Sequence, residues 1–594
     1  MPTSAVPRAP RVPSKAALRA LAAVVVILAG AACSTVPTGG AIFAAGGESE
    51  GDPLSQPYVR ILAALPKPKG TPLEIVNGFL AAAASFDDPL RSVARQYLTG
   101  EARRTWSPFD SVTIYDDRKP GGDSTGDVQT AQVELKAITQ GTLDGDGHYV
   151  PNASSSELSK DFTLVKVDGQ WRISAAPPGL LLSSDDFKRA YRSFDLYFAA
   201  HQSAGLVADR VWVPINPSEG LGKSLVGRLL VGPTAPLRGA VESAFGQDDD
   251  VNDVFVEGDT VVVDFTYGIV DSARATTNRE ALSAQLRWTL KPLTESRRIE
   301  VRVNGEQFPG GPFFIEPHDY DRFDPDVLTS SPSAYYLQQG KLHLVDQERK
   351  NPVMPGIGPV QARQFTHLAV SGEQPPKVAA LEKQGGVWVS GLTPGSQWQR
   401  WLEGAKLTPP SWDRYGDLWT VSRQGPRKSE VLRAHDPSRQ FPVSAPGLES
   451  TDVKAFRVAR DGSRVAVISD DGHGQRVMVG SINRSSWAIQ NLRTLVPAEK
   501  SQEITDIAWR DASTLLVLTN TKPDRVLTPW SVTEGVRDEE PKAATRIESI
   551  SAAPDPSEVL AGTADGGVLV WSRQKRTWIT LIERGAGIPV YPLG

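Results

Sequence analysis

Cys33 is the only cysteine in 594 residues, and what precedes it gives it a specific chemistry. Arg8, Arg11, Lys15 and Arg19 form a basic end, residues 21–32 form an uncharged apolar run, and Gly30, Ala31 and Ala32 are small enough for a signal peptidase to hold the backbone extended. The apolar run is too short for a comfortable bilayer span, which takes about 20 residues. This order reads as a bacterial lipoprotein signal peptide, with Cys33 as the N-palmitoyl, S-diacylglycerol cysteine. Where the common pattern has leucine three places before the cysteine, this chain has Gly30, and the nearest leucine is Leu28. A plain secretory signal with an incidental cysteine is the alternative. Acylation consumes the thiol, so no disulfide, thiolate metal site or cysteine nucleophile is left.

Other residue patterns point to chemistry and fail on spacing or context. Residues 219–225 (EGLGKSL) resemble the end of a phosphate-binding loop, but Pro217 stands where such a loop needs glycine, so a helix start with a solvated Lys223 is the better reading. Residues 122–126 (GDSTG) match a nucleophile elbow letter for letter. That elbow needs a buried strand before it, and here a polar run, Asp116–Gly122, precedes Ser124. Asp144, Asp146 and His148 look like the start of a calcium loop without its closing glutamate, which favours a hairpin turn. The acidic run 247–253 and the segment His318–Asp326 read as solvated linkers, the second with opportunistic calcium binding as its alternative. The seven histidines show no pair at helical metal spacing. No catalytic residue, metal ligand or cofactor-binding residue is assigned, and the chain is read as a non-enzyme.

The bulk composition, 40% apolar and 22% charged, is that of an ordinary folded protein, and a net charge of -5 provides no basic field to hold nucleic acid. Beyond the signal peptide (1–32), residues 33–66 are rich in Gly, Pro and Ser and read as a flexible membrane-proximal linker. A first α+β domain is expected over 67–180. It has a helix start at Thr71-Pro72 with Glu74, a second short helix over Asp88–Leu98, and strands that end in a hairpin through Asp168-Gly169. A second α+β domain is expected over 185–310, with a helix through Leu225, Val226, Leu229 and Leu230 closed by Gly232-Pro233, then strands around Asp253–Val256, Thr260–Phe265 and Arg298–Val303. From 330 to 594 a unit recurs, consisting of a short strand, a polar turn with Asp, an apolar strand, a loop and another apolar strand. This is how a propeller blade reads, and the length fits about six blades of about 45 residues; a pair of β-sandwiches is the alternative. Trp388, Trp398, Trp401, Trp412 and Trp419 are clustered, and core wedges between blades are preferred over an aromatic partner-binding patch.

The first domain resembles the NTF2-like fold. The second is similar to the GerMN domain through residues 229–234 (LLVGPT), the run 261–265 (VVVDF) and Asn304-Gly305. The order of signal, spacer, NTF2-like domain, GerMN-like domain and β-propeller resembles the LpqB family of actinobacterial lipoproteins. Residues 72–80 (PLEIVNGFL), 94–99 (ARQYLT) and 407–413 (LTPPSWD) carry the resemblance further. It implies a lipid-anchored accessory protein on the extracytoplasmic face of the cell membrane. The implied partner is the extracytoplasmic domain of a sensor histidine kinase, MtrB in this group, and the contact would tune an MtrAB-like two-component system that affects cell envelope and division. The rival readings are a cell-wall hydrolase or lactonase using the propeller channel, and an envelope scaffold or ligand sensor with its pocket in the NTF2-like domain.

Overall fold

The computed structural model describes residues 63–593 apart from short internal stretches, the longest of them 346–364. Cys33, the expected signal peptide (1–32) and the 122–126 motif lie outside the described residues. The architecture is mainly β, with two small α+β domains followed by a β-propeller.

Helix α1 (Pro72–Ala84) begins as its residues dictate. The Glu74 N–H donates to Thr71 Oγ1 at 3.3 Å and the Thr71 N–H donates to the Glu74 carboxylate at 2.8 Å, a reciprocal cap. Its buried face (Ile75, Val76, Phe79, Leu80) enters one core with Leu135, Phe162, Leu164 and Ile173 of the sheet. The helix expected over Asp88–Leu98 is much shorter, a 3₁₀ turn at Ala94–Tyr97 followed by α2 (Gly100–Thr105). Two features interrupt it. Arg91 adopts φ 54°, and the Asp88 carboxylate accepts the Val93 N–H at 2.7 Å, in competition with the helix ladder. The sheet runs β4-β3-β2-β1-β5, from β1 (Val112–Tyr115), β2 (Thr130–Leu143), β3 (Tyr149–Val167), β4 (Gln170–Ala175) and β5 (Leu180–Ser183). Asp168 (φ 51°) and Gly169 (φ 74°) make the two-residue turn between β3 and β4, as their types require.

Helix α3 (Ser184–Ala190) leads into the second domain through the hairpin β6 (Tyr191–Ala199) and β7 (Leu206–Pro214). Helix α4 (Leu221–Val231) follows and is ended by Gly232 at φ 94°. Strands β8 (Val251–Glu257) and β9 (Thr260–Phe265) pair antiparallel, and β9 pairs in parallel with β10 (Arg298–Val303). The parallel step requires a crossover, which the long helix Thr276–Thr294 supplies. The described part of the His318–Asp326 segment, residues 318–325, is more than a solvated linker. The Trp288 indole donates to the Tyr320 carbonyl at 3.0 Å, Arg287 to that of Pro317 at 3.0 Å, and Phe323 is buried against the crossover helix.

Among the described residues the propeller has five four-stranded antiparallel blades, at Phe365–Leu402, Ser411–Val443, Asp452–Val496, Glu503–Val536 and Ile547–Ile582. A sixth, shorter sheet is built from both ends of the region: Tyr335–Gln338 pairs with Lys341–Leu344 and also with the C-terminal residues, Tyr335 and Val590 exchanging backbone hydrogen bonds of 2.8 Å. The tail continues to the first blade, where the Leu593 N–H donates to the Val370 carbonyl at 2.9 Å. This closes the ring. Of the five clustered tryptophans, Trp401, Trp412 and Trp419 are core, as the preferred reading has it. Trp388 is half-buried and bonded to Glu382, and Trp398 is half-buried against Phe365. Trp412 and Trp509 end the innermost strands of the second and fourth blades. Each donates its indole N–H to a carbonyl of the preceding blade, Ala369 at 3.3 Å and Arg457 at 3.1 Å, so the same wedge is used twice. Trp412→Ala is expected to cost about 3–5 kcal/mol, the range for a buried aromatic; a denaturant midpoint within error of the native chain would show that this wedge is not part of the core.

Candidate functional site

The turn after the innermost strand of a blade is built by an aspartate. Asp461 Oδ1 accepts the N–H groups of Ser463 (2.7 Å) and Arg464 (3.0 Å), Asp511 those of Ser513 (2.8 Å) and Thr514 (2.7 Å), and Asp413 those of Tyr415 (2.9 Å) and Asp417 (3.0 Å). The side chain mimics a backbone turn, which is why aspartate recurs there. These turns lie against the second domain. Arg464, paired with the fully buried Asp461, donates to the Ala208 carbonyl on β7. Gln490 donates to the Arg238 carbonyl at 2.8 Å and Asn491 to that of Pro236 at 3.3 Å. The Arg460 guanidinium, with no exposed surface, crosses this end of the ring and donates to the carbonyls of Trp509 (2.6 Å) and Ala552. The second domain therefore covers this mouth of the central channel.

The opposite mouth is open. A cavity of about 600 Å³ occupies it, lined by the early residues of the innermost strands, among them His367, Lys454, Thr505 and Glu548. Its charged groups engage one another and the blades. Arg457 reaches Asp506 at 3.5 Å across two blades, while Asp506 accepts the N–H groups of Ile507 (2.9 Å) and Ile550 (3.0 Å). Burial raises the Asp506 carboxyl above its ordinary range, against the lowering effect of Arg457 and these N–H groups. Lys454 pairs with Asp452, Arg423 donates to the Lys406 carbonyl at 3.1 Å, and Glu548 pairs with Arg546 at 3.1 Å. Among the described residues no three of His, Cys, Asp or Glu form a metal-binding group. The mouth thus presents a rim of mixed charge around a polar funnel, a surface suited to a partner with its own pattern of charges.

The residues singled out in the sequence fall elsewhere. Lys223 is an exposed residue in the first turn of α4, behind Gly220, while Glu219 lies outside the described residues. Asp144 does make a hairpin turn, accepting the N–H groups of Asp146 (3.0 Å) and His148 (2.9 Å). That turn also docks the first domain on the second: the Trp212 N–H donates to the Gly147 carbonyl and Arg228 to the Gly145 carbonyl, both at 2.8 Å, and Arg238 reaches Asp146 at 3.2 Å. Asp461, Arg464, Arg457 and Asp506 were not singled out. The repeated turn aspartate was a visible signal for the first; the partners of the others come from distant blades or the other domain.

His367 in the channel wall is held down to about 4 by burial, with Arg457 adding to the effect. Its neutral form is the one favoured by folding, so its contribution to stability is complete above the unfolded value of ~6.5 and is lost as pH falls towards about 4. An NMR titration of His367 is expected to show a midpoint near 4, and a midpoint at or above 6.5 would mean that the wall is open to water at this point.

Three family models match in the order of the domains: "Lipoprotein LpqB, N-terminal domain" over residues 65–188, "Sporulation and spore germination" over 195–308, and "Lipoprotein LpqB beta-propeller domain" over 340–592. Similar curated proteins include Lipoprotein LpqB of Thermobifida fusca, 29% identical over 97% of this chain and 99% of that one. Others are Lipoprotein LpqB of Streptomyces avermitilis, 29% identical over 94% and 95%, and of Mycobacterium tuberculosis, 25% identical over 92% and 93%. Among solved structures, TolB from Acinetobacter baumannii aligns with a TM-score of 0.36 and 14% identity over 47% of this chain and 75% of that chain. With both of its LpqB-specific domains matched and near full-length relatives of that name, the chain belongs to the LpqB family of lipoproteins.

Proposed function

We propose that this protein is a lipid-anchored, extracytoplasmic accessory of a sensor histidine kinase, and that the open mouth of its propeller contacts the extracytoplasmic domain of that kinase. Cys33 carries the acyl chains. Two chains suffice for stable attachment at ~0.8 kcal/mol per buried methylene, whereas one gives only marginal binding. Among the described residues no helix is long and apolar enough to cross a membrane, so a lipid on Cys33 accounts for attachment without one. Tethering turns capture of a membrane-embedded kinase into a search at raised effective concentration.

The observation that carries this reading is the asymmetry of the propeller: one mouth lies under the second domain, and the other is open with a polar, mixed-charge rim. A partner reached through the propeller has that mouth available. A hydrolase in the channel would need a carboxylate free to exchange a proton with substrate. Asp506, the buried carboxylate of the wall, is instead held by two N–H groups and Arg457, which favours a binding role.

Two measurements test this. Cys33→Ala should leave a folded protein that is released from the membrane, with kinase output equal to that of cells lacking the protein; wild-type output from a fully released form would remove the tethering role. A photo-cross-linking residue at Ala564, exposed beside the open mouth, should capture the kinase ectodomain, while one at the exposed Arg274 on the second domain should not. Equal capture at both positions, or capture at Arg274 alone, contradicts the assignment of the face.

A further inference from the structure

A second cavity, of about 480 Å³, lies between the first and second domains, away from the propeller channel. Leu180 of β5 comes from one side, and Tyr191 of β6 and Trp212 of β7 from the other; α4 forms the remaining wall with Gly227 and Arg228. The aromatic shelf is firm, because Phe187 stacks on Tyr191 with centroids 5.0 Å apart and sits 4.7 Å from Trp212. Exposed Val231 extends the apolar surface to the lip.

The polar groups of this cleft are strongly biased towards donors. Arg228 spends one N–H on the Gly145 carbonyl, and its other guanidinium N–H groups have no partner among the described residues. Trp212 Nε1 is buried without an acceptor. Arg91, also in the lining, brings a second cation, this one buried, whose Nη1 donates to the carbonyls of Ser85 and Asp88 at 2.7 Å. The one carboxylate of the lining, Asp144, is committed to its own turn and to His148. A buried donor such as Trp212 Nε1 is costly without an acceptor unless something supplies one, and the half-buried Arg228 adds a positive charge beside it. An uncharged apolar molecule would leave the buried Trp212 donor unmet, and a cationic one would be repelled by the two guanidiniums. The complementary molecule has an apolar body and an acidic head.

We propose that this interdomain cleft binds an anionic amphiphile, its apolar body against Tyr191, Leu180 and the Trp212 ring, and its carboxylate or phosphate accepting from Arg228 and Trp212 Nε1. Because both domains line the cleft, an occupant bridges them and adds to the contacts of the Asp144 turn. The assignment is independent of which face of the propeller meets the kinase.

Gly227 provides a clean probe. A Cβ added there would meet only Val251 Cγ1, at 4.0 Å, and leucine favours a helix over glycine, so Gly227→Leu is expected to occupy the cleft while the helix is kept. The full-length lipidated chain in nanodiscs is titrated calorimetrically with decanoate, decyl phosphate, decanol, decyltrimethylammonium and inorganic phosphate, with empty nanodiscs as the blank. Decanoate or decyl phosphate should bind saturably at one site, the tighter of the two naming the head group. Decanol should be weaker by about tenfold or more, the scale of a lost charge-assisted hydrogen bond, and the cation and free phosphate should show no saturable binding. Arg228→Met should weaken the anions to the level of decanol without changing decanol itself. Gly227→Leu should abolish binding with an unchanged or raised melting temperature. Absence of saturable binding above the blank, equal binding of free phosphate, or native binding by Gly227→Leu overturns the proposal.

Discussion

The contact on which the rest of the arrangement depends is the buried pair of Asp461 and Arg464. Asp461 has no exposed surface; one of its oxygens forms the blade turn by accepting two backbone N–H groups, and the other meets the Arg464 guanidinium. Arg464 then donates to a carbonyl of the second domain. A buried ion pair gains little unless its remaining hydrogen-bonding capacity is met, and here it is met by the turn on one side and by Ala208 on the other. Domain docking is thereby tied to blade geometry, and the orientation of the propeller on its neighbour is specified by directional bonds instead of by buried apolar area alone.

Consequences follow for both ends of the channel. The covered end is crossed by Arg460 and closed by turns that the second domain touches. At the other end the wall is held by Arg457 and Asp506, which stitch the third, fourth and fifth blades together and leave a funnel between them. In the proposed role the tether is the lipid on Cys33. The proposed accessory role needs no more from the structure than a covered mouth, an open one and a tether.

Local chemistry was legible in the sequence. Thr71 with Glu74 announces a helix start, Asp168-Gly169 a two-residue turn, and the repeated turn aspartate a blade, because each acts within a few residues of itself. Of the tryptophan cluster, Trp401, Trp412 and Trp419 are core while Trp388 and Trp398 are half-buried. What depends on distant partners was not legible. The sixth sheet joins Tyr335 to Val590, and the Asp144 hairpin, legible as a turn, gives no sign in the sequence that Trp212 and Arg228 dock on it. The shortened helix near Arg91 has a different, local reason: Asp88 takes the Val93 N–H and Arg91 sits at φ 54°, outside the helical region. Spacing within one segment carries no record of the distant contacts.

The most direct measurement of the central claim is hydrogen–deuterium exchange on the lipidated protein with and without the extracytoplasmic domain of the sensor kinase. The account predicts slowed exchange on partner addition at the open mouth, around residues 563–567 and 454–457, and no change at the turns 461–464 and 511–514 that face the second domain. Slowed exchange confined to the first two domains, or none anywhere on the propeller, would contradict it.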